Sequence, residues 1–301
     1  MDRKDVAVVV PVFNRANTVL RTLESILQQT RQPDILVIVD DGSSDGSADA
    51  VEQWLRARRP SCAWRVVRCE RNRGAGAARN KAMTLLNTFA YITFLDSDDL
   101  WPTDFLERTL QAIAGDATAV AASCDRQRIR ANGRMRKRNS AVHLARNAPQ
   151  WLMRHGGGIL SCTVFRTAMI GDIRFDETNL LGTEDLTFLL PLSLRGPWLA
   201  APGAPMVMDR RIAEANREEI NLSRVHKNTF HNWVAVIEDF LANVRGWEQH
   251  VSPAKADRIC ALLWTCAGFQ YARHGEFRQS LACMGTAIAR FSGSLVGGRF
   301  R

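Results

Sequence analysis

Apolar and polar positions along the first hundred residues fall into two alternating rhythms. Val6–Val12 is an almost unbroken run of β-branched residues, the pattern of a strand buried on both faces of a parallel sheet. Val19, Leu20, Leu23, Ile26 and Leu27 then recur at three- and four-residue spacing, which predicts an amphipathic helix. The alternation continues with a strand at Ile35–Val39, a helix at Ser47–Arg58 and a short strand at Trp64–Val67. A helix at Ala75–Leu86 and a strand at Tyr91–Leu95 complete it. Strands separated by helices of this length predict right-handed βαβ units and a doubly wound α/β sheet.

Beyond about Ala117 the rhythm changes. Val120–Cys124 reads as one more strand. Arg126–Arg138 carries seven basic residues around Asn132-Gly133, a pair that predicts a hairpin closed by a type I′ turn. This basic run is either a solvated hairpin or a surface for anionic lipid or a phosphorylated acceptor. After about Asp209 the pattern is helical. Phe230, Trp233, Val234, Ile237, Phe240, Leu241 and Val244 form one apolar stripe. Ser252-Pro253 predicts an N-cap followed by proline at the first helical position. Ile259, Leu262, Leu263, Cys266 and Phe269 form a second stripe, and Phe277, Leu281, Met284, Ile288 and Phe291 a third. The short link His274-Gly275-Glu276 makes the last two helices antiparallel neighbours. This hairpin is expected to pack against the preceding domain, with membrane or partner docking as the alternative, and the tail after Ser292 to fray.

Composition narrows the class. Apolar residues make up 46% and charged residues 24% of 301, an ordinary globular balance. The net charge of +9 marks a basic surface that could meet nucleic acid, lipid headgroups or phosphorylated substrates. No zinc-finger spacing, aromatic RNA-binding strand or basic region running into heptads accompanies it, so nucleic acid is not the expected partner. The seven cysteines are scattered without a CxxC pair, which suits a reducing compartment. No stretch reaches membrane-spanning length, and the expectation is a cytoplasmic protein with possible peripheral contact at the inner face of the cell membrane.

The candidate chemistry gathers where predicted strands end: Asn14 after the first, Asp40 and Asp41 after the second, Asp96 to Asp99 after the fourth. In doubly wound sheets ligands sit beyond the carboxyl ends of the strands. In extended chain, Asp96 and Asp98 point the same way and can converge on one hard divalent ion, Mn²⁺ or Mg²⁺, whose remaining positions water and substrate phosphates fill. An acidic loop after a strand is common, however, and alone carries little.

Four segments occur in order: VVVPVFNRANTVLRTLESILQQT, ILVIVDDGSSDGS, NRGAGAARN and YITFLDSDDLWPTDFLE. Together they resemble the family-2 glycosyltransferases, the inverting group with the GT-A fold. The likeness is close over roughly residues 6–110 and looser over 160–190. It implies a GT-A-type doubly wound mixed sheet with a C-terminal helical extension. The expected division is a glycosyltransferase domain over 1–212, with a nucleotide-sugar half (1–115) and an acceptor half (116–212), followed by helices over 213–301.

The resemblance also implies roles. Pro11, Phe13 and Asn14 lie against the nucleotide. Asp41 matches the aspartate that accepts from the base, although a turn residue before Gly42 would look the same. Gly74 and Gly76 permit close approach of the backbone. Arg79 could pair with phosphate or with Asp41. Asp96 and Ser97 contact the donor, and Asp98, with Asp96, holds the metal. In FDETNLLGTEDLTFLL, Asp185 matches the catalytic base, with Glu184 supporting it; both also suit the first turn of a helix capped by Thr183. His226 and Asp209 are weaker candidates for a further metal ligand.

The implied reaction moves a single hexosyl or N-acetylhexosaminyl group from a nucleotide diphosphate sugar, UDP-sugar favoured, to a glycan, lipid-linked or protein acceptor in cell-surface polysaccharide synthesis. The QxxRW signature of processive synthases is missing. The competing readings are a catalytically silent nucleotide-sugar binder, a nucleotidyltransferase, whose glycine-rich N-terminal signature is lacking, and a nucleic-acid binder.

Overall fold

The computed structural model describes residues 5–130, 132–178, 182–209 and 228–296. The chain divides into two compact units. The first comprises residues 1–146, 158–177 and 195–220, and the second 147–157, 178–194 and 221–301. The boundary expected at residue 212 lies outside the described residues.

The first unit is built as the β-branched runs require. A seven-stranded sheet contains β1 (Val6–Val12), β2 (Ile35–Asp40), β3 (Ala63–Arg68), β4 (Tyr91–Phe94), β6 (Ala121–Ser123), β9 (Thr163–Arg166) and β10 (Trp198–Ala200). Their spatial order is β10-β6-β9-β4-β1-β2-β3. All neighbours are parallel except around β9, which runs antiparallel to both β4 and β6. Every residue of β1 is buried, as expected of a central strand covered on both faces. Helices α1 (Val19–Leu27), α2 (Ser47–Arg58), α3 (Ala75–Leu85) and α4 (Phe105–Ala114) connect or flank these strands. The chain leaves β1 for β2 on one side and returns to β4 on the other. That reversal opens a crevice at the carboxyl ends, the position where such sheets take ligands.

A second sheet of four short strands was not foreseen. It orders β5 (Asp99–Leu100), β11 (Met206–Asp209), β7 (Arg126–Ile129) and β8 (Met135–Arg138). β7 and β8 form the expected basic hairpin, but its turn is not type I′. Of the described turn residues, Gly133 takes positive φ (+75°) and Asn132 does not, and the Gly133 N–H donates to Arg130 C=O. Five residues separate the last pair, Ile129 and Met135, so a longer loop closes the hairpin.

In the second unit, α7 (Glu184–Leu192) packs on α8 (Thr229–Asn243), α8 on α9 (Pro253–Arg273), and α9 on α10 (Phe277–Val296). Between β8 and β9, α5 (Ser140–His155) kinks at Asn147, two residues before Pro149, and the unit boundary falls there; α6 (Thr167–Ile170) is a single turn. Pro253 opens α9 behind Ser252, although the serine hydroxyl makes no capping hydrogen bond. α9 and α10 are antiparallel neighbours joined through Gly275 at φ +77°.

The last helix runs to Val296, and the rest of the tail expected to fray lies outside the described residues. Of the apolar stripes, Ile259 and Leu263 are buried, but Leu262, Phe269, Phe277, Leu281, Ile288 and Phe291 face solvent. The inner face of α10 is made instead of Ser280, Cys283 and Ala287, and a Cβ on Gly268 of α9 would lie 2.9 Å from Met284. Small residues let the two helices approach closely, which turns the large stripe outward. No helix among the described residues is long and apolar enough to cross a membrane.

Candidate active site

The loop after β1 is tied to the loop after β2. Asn14 takes a left-handed backbone (φ +50°), which asparagine tolerates better than most side chains. Its N–H donates to Ser43 Oγ (2.9 Å), and its Oδ1 accepts the Ser44 N–H (2.9 Å). Next to it, the Arg15 N–H donates to Ser47 Oγ and the Ala16 N–H to Asp45. Burial disfavours charge on Asp45, but the hydrogen bonds from Ser47 and Ala16 outweigh it and hold the carboxyl below its usual 3.8. Pro11 is buried in β1, opposite Val39, while Phe13 is exposed at the rim.

The two aspartates of VDDGS divide their work. Asp40 makes the local turn, its Oδ1 accepting the N–H groups of Gly42 and Ser43 at 3.1 and 2.9 Å. Asp40 Oδ2 is buried without a hydrogen-bond partner among the described residues. Asp41, buried as well, reaches across to the start of α3. It accepts the Arg73 N–H at 3.1 Å and the Gly74 N–H at 2.7 Å. Burial pushes the Asp41 carboxyl above its usual 3.8; these two bonds offset that only in part, and neighbouring Asp40 adds to it. Gly42 is needed here: its φ is +79°, and a Cβ would stand 2.7 Å from the backbone of Arg71.

At the end of β4, Asp96 meets Arg79. The Arg79 Nη2 donates to Asp96 Oδ1 at 2.7 Å, with Arg79 only 3% exposed and Asp96 40%. Arg79 therefore pairs with Asp96. Its guanidinium also lies 5.3 Å from the centre of the Phe175 ring, within cation–π range. The Asp96 N–H donates to Ser161 Oγ (3.1 Å), and Ser161 C=O accepts the Trp101 indole N–H (2.6 Å). Ser97 is buried, and Asp98 is half-buried in the turn before β5. Asp209 is buried at 3.8 Å from Arg21. His226 lies outside the described residues.

Several contributors have no local signal in the sequence. Asn80 exchanges two hydrogen bonds with the backbone of Phe175 (2.8 and 2.9 Å), and Arg73 pairs with Glu177 at 2.7 Å. Separations of about a hundred residues hide such contacts from pattern reading. These residues line a cleft of about 760 Å³ beside Asp41, with Lys81 and Arg174 on its wall. That volume is within the range of small-ligand sites, and its basic lining suits an anion.

As a fit for a metal, Asp96 and Asp98 offer only hard oxygen donors, appropriate to Mn²⁺ or Mg²⁺. Among the described residues, no group of three or more His, Cys, Asp or Glu is placed to form an all-protein cage. The remaining ligands would be substrate phosphate and water, which is ordinary for Mg²⁺.

Asp185 and Glu184 belong to the second unit, half-buried in the first turn of α7 behind Thr183 at the N-cap. Gly157 lies against that turn: a Cβ there would stand 2.3 Å from Asp185 Cβ. The residues of the first unit, from Asn14 through Asp41, Gly74 and Arg79 to Asp96, are brought together at the ends of β1, β2 and β4 and the start of α3.

A sequence model of Glycosyl transferase family 2 matches residues 7–174, more than half of the chain. The chain belongs to this family. Over 106 residues it is 38% identical to a teichuronic acid biosynthesis glycosyltransferase of Bacillus subtilis, covering 35% of this chain and 40% of that protein. It is 29% identical over 227 residues to the succinoglycan biosynthesis protein ExoO of Rhizobium meliloti, covering 71% and 63%. The match thus spans less than two thirds of each relative's length.

Solved structures share the fold. TarS 1-349 of S. aureus in complex with UDP superposes with a TM-score of 0.60 at 18% identity, covering 94% of this chain and 90% of that one. The mannosyltransferase PcManGT of Pyrobaculum calidifontis, in complex with GDP-Man and Mn²⁺, gives 0.63 at 20% identity, covering 97% and 79%. The architecture is the GT-A fold with C-terminal helices, as the motifs implied.

Proposed function

We propose that this chain transfers a single sugar, with inversion, from a nucleotide diphosphate sugar to a glycan, lipid-linked or protein acceptor in cell-surface polysaccharide synthesis. The observation that carries the donor side is the gathering at the strand ends of three pairings, Asn14 with Ser44, Asp41 with Gly74, and Arg79 with Asp96. Teichuronic acid and succinoglycan biosynthesis in the names of relatives supports the polysaccharide setting. The UDP in TarS supports a UDP-sugar, while the GDP-Man in PcManGT keeps the guanine nucleotide as the alternative.

In this reading Asp41 accepts from a base N–H, and Pro11, Phe13 and Asn14 border the nucleotide. Arg79 holds the Asp96 carboxylate in place, and Asp96 and Ser97 contact the donor. Asp98 and Asp96 would hold Mn²⁺ or Mg²⁺, whose charge would stabilise the leaving diphosphate. Asp185 takes the proton of the acceptor hydroxyl as that oxygen attacks the anomeric carbon from the face opposite the leaving group, and Glu184 orients Asp185. A single displacement inverts the anomeric configuration.

The test is nucleotide release from donor sugars with Mn²⁺ present. Asp98→Ala and Asp185→Asn should each lower turnover by a factor on the order of 100 or more. Asp98→Ala should also weaken metal-dependent donor binding, whereas Asp185→Asn should leave it intact. Full turnover by either variant would refute that residue's role. Donor binding by the wild type with no turnover on any acceptor would favour the silent binder.

A further inference from the structure

The helical hairpin of the second unit presents a large apolar surface that its own core does not use. Leu262 and Phe269 of α9, and Phe277, Leu281, Ile288 and Phe291 of α10, are between 54% and 73% exposed. Their spacing of three, four or seven residues puts one stripe on each helix. Both stripes emerge on the same side. α9 turns Trp264 and Tyr271 towards α8, where the Trp264 indole donates to Glu238 and both rings meet His231. It meets α10 through Gly268 against Met284 and Asp257 against Arg290. Each exposed stripe lies roughly 100° around its helix from the α9–α10 contact line. The rotation is in opposite senses because the helices are antiparallel. The stripes therefore merge into one face, away from α8.

Charge on this face is of one sign. Lys255, Arg258 and Arg273 share the exposed row of α9 with Leu262 and Phe269, and Arg278 flanks the α10 stripe. The only charged residues of α10 are two arginines. Of the acids on the hairpin, Asp257 is engaged by Arg290 Nη1 at 2.9 Å, and Glu276 sits in the turn. An apolar field of Phe, Leu and Ile bordered by cations is the composition of a helix that lies in a membrane interface. A second copy of the chain, docked face to face about a twofold axis, would set these cations against themselves.

We propose that this face docks the protein on an anionic lipid bilayer. The six apolar side chains enter the boundary between headgroups and acyl chains, and Lys255, Arg258, Arg273 and Arg278 engage lipid phosphates. The attachment is peripheral and depends on both components, since neither a few apolar side chains nor a few charges alone holds a protein at a membrane. It does not depend on the donor-site reading.

The full chain is sedimented with vesicles of phosphatidylcholine containing about one-third phosphatidylglycerol, and with vesicles of phosphatidylcholine alone. Binding to the anionic vesicles should be at least about tenfold tighter and should weaken with salt. Two variants are compared: Phe277→Ser/Leu281→Ser/Ile288→Ser, and Lys255→Gln/Arg258→Gln/Arg273→Gln. Each should reduce binding by roughly tenfold or more while melting as the wild type does, because every altered side chain is exposed. Failure of the wild type to bind, or binding by either variant as tight as that of the wild type, overturns the proposal. A wild-type dimer in light scattering that the serine variant dissociates would assign the face to a second copy and overturn it as well.

Discussion

Asp41 is buried, accepts backbone N–H groups from Arg73 and Gly74, and has its carboxyl pushed above 3.8 chiefly by that burial. Its protonation consequently has a defined sign. A carboxyl that holds its proton more tightly in the folded chain adds stability below its unfolded value, and that contribution is lost as pH rises through the folded value. Asp41→Asn is uncharged throughout. The stability of the wild type relative to Asp41→Asn should therefore fall as pH rises from about 3.5 into the range above the ordinary carboxylate value. Paired thermal melts across that range check this, and a constant gap would rule it out. Nucleotide binding should show the opposite trend in the wild type, because accepting from a base N–H favours the ionised form. Asp41 was legible in the sequence as a candidate, but the turn role first considered for it belongs to Asp40. Two adjacent aspartates before a glycine look alike in a string; only the approach of the 71–74 loop tells them apart.

Helix α7 carries Glu184 and Asp185 at a position set by packing that no motif announces. Gly157 is distant in sequence, yet a Cβ there would stand 2.3 Å from Asp185 Cβ and 3.1 Å from the Leu186 nitrogen. Gly157→Ala must displace the first turn of α7. The expected stability cost is roughly 1–3 kcal/mol, as for overpacking elsewhere. If Asp185 is the base, kcat should fall by about 10- to 100-fold, because small displacements of a reacting group are costly. Gly285→Ala in α10 is the contrast: nothing lies within 4 Å of its Cβ, and the change should stabilise by about 0.4–1 kcal/mol. Denaturant titrations and kinetics of both variants test the pair. The same scale explains what the helical periodicity missed. An amphipathic repeat marks a face without naming what that face meets. In α10, close approach through Ser280, Cys283 and Ala287 took the inner side and left Phe277, Leu281 and Ile288 outside.

At the scale of the molecule, two compact units share one chain that crosses between them, among the described residues, at the kink near Asn147 and again near residues 157, 177 and 194. The proposed donor-site residues all lie in the first unit, and the proposed base Asp185 and its support Glu184 in the second. A nucleotide diphosphate sugar with Mn²⁺, at a hundredfold excess over its Kd, should stabilise the state that binds it by about 2.7 kcal/mol. Calorimetry should show that shift as an upward move of several degrees. If the units melt separately, it should fall on the transition of the first unit alone. Metal chelation should abolish it. A shift indifferent to both metal and Asp98→Ala would remove the metal from the donor site.

The alternation of β-branched runs with amphipathic helices determined the doubly wound half of this protein, because burial on both faces of a sheet demands that pattern locally. The candidate donor-site residues could be picked out for a related reason: Asn14, Asp41 and Asp96 each follow a strand within a few residues, and strand ends are where such sheets expose their chemistry. Tertiary structure alone decided the rest. It inserted β9 antiparallel between β4 and β6, joined Arg79 to Asp96 over Phe175, and built the cleft wall from Asn80 and Glu177. It also turned the stripe of α10 outward. Each of these outcomes depends on which surfaces meet across long stretches of chain, and a local pattern of residue types carries no record of its distant neighbour.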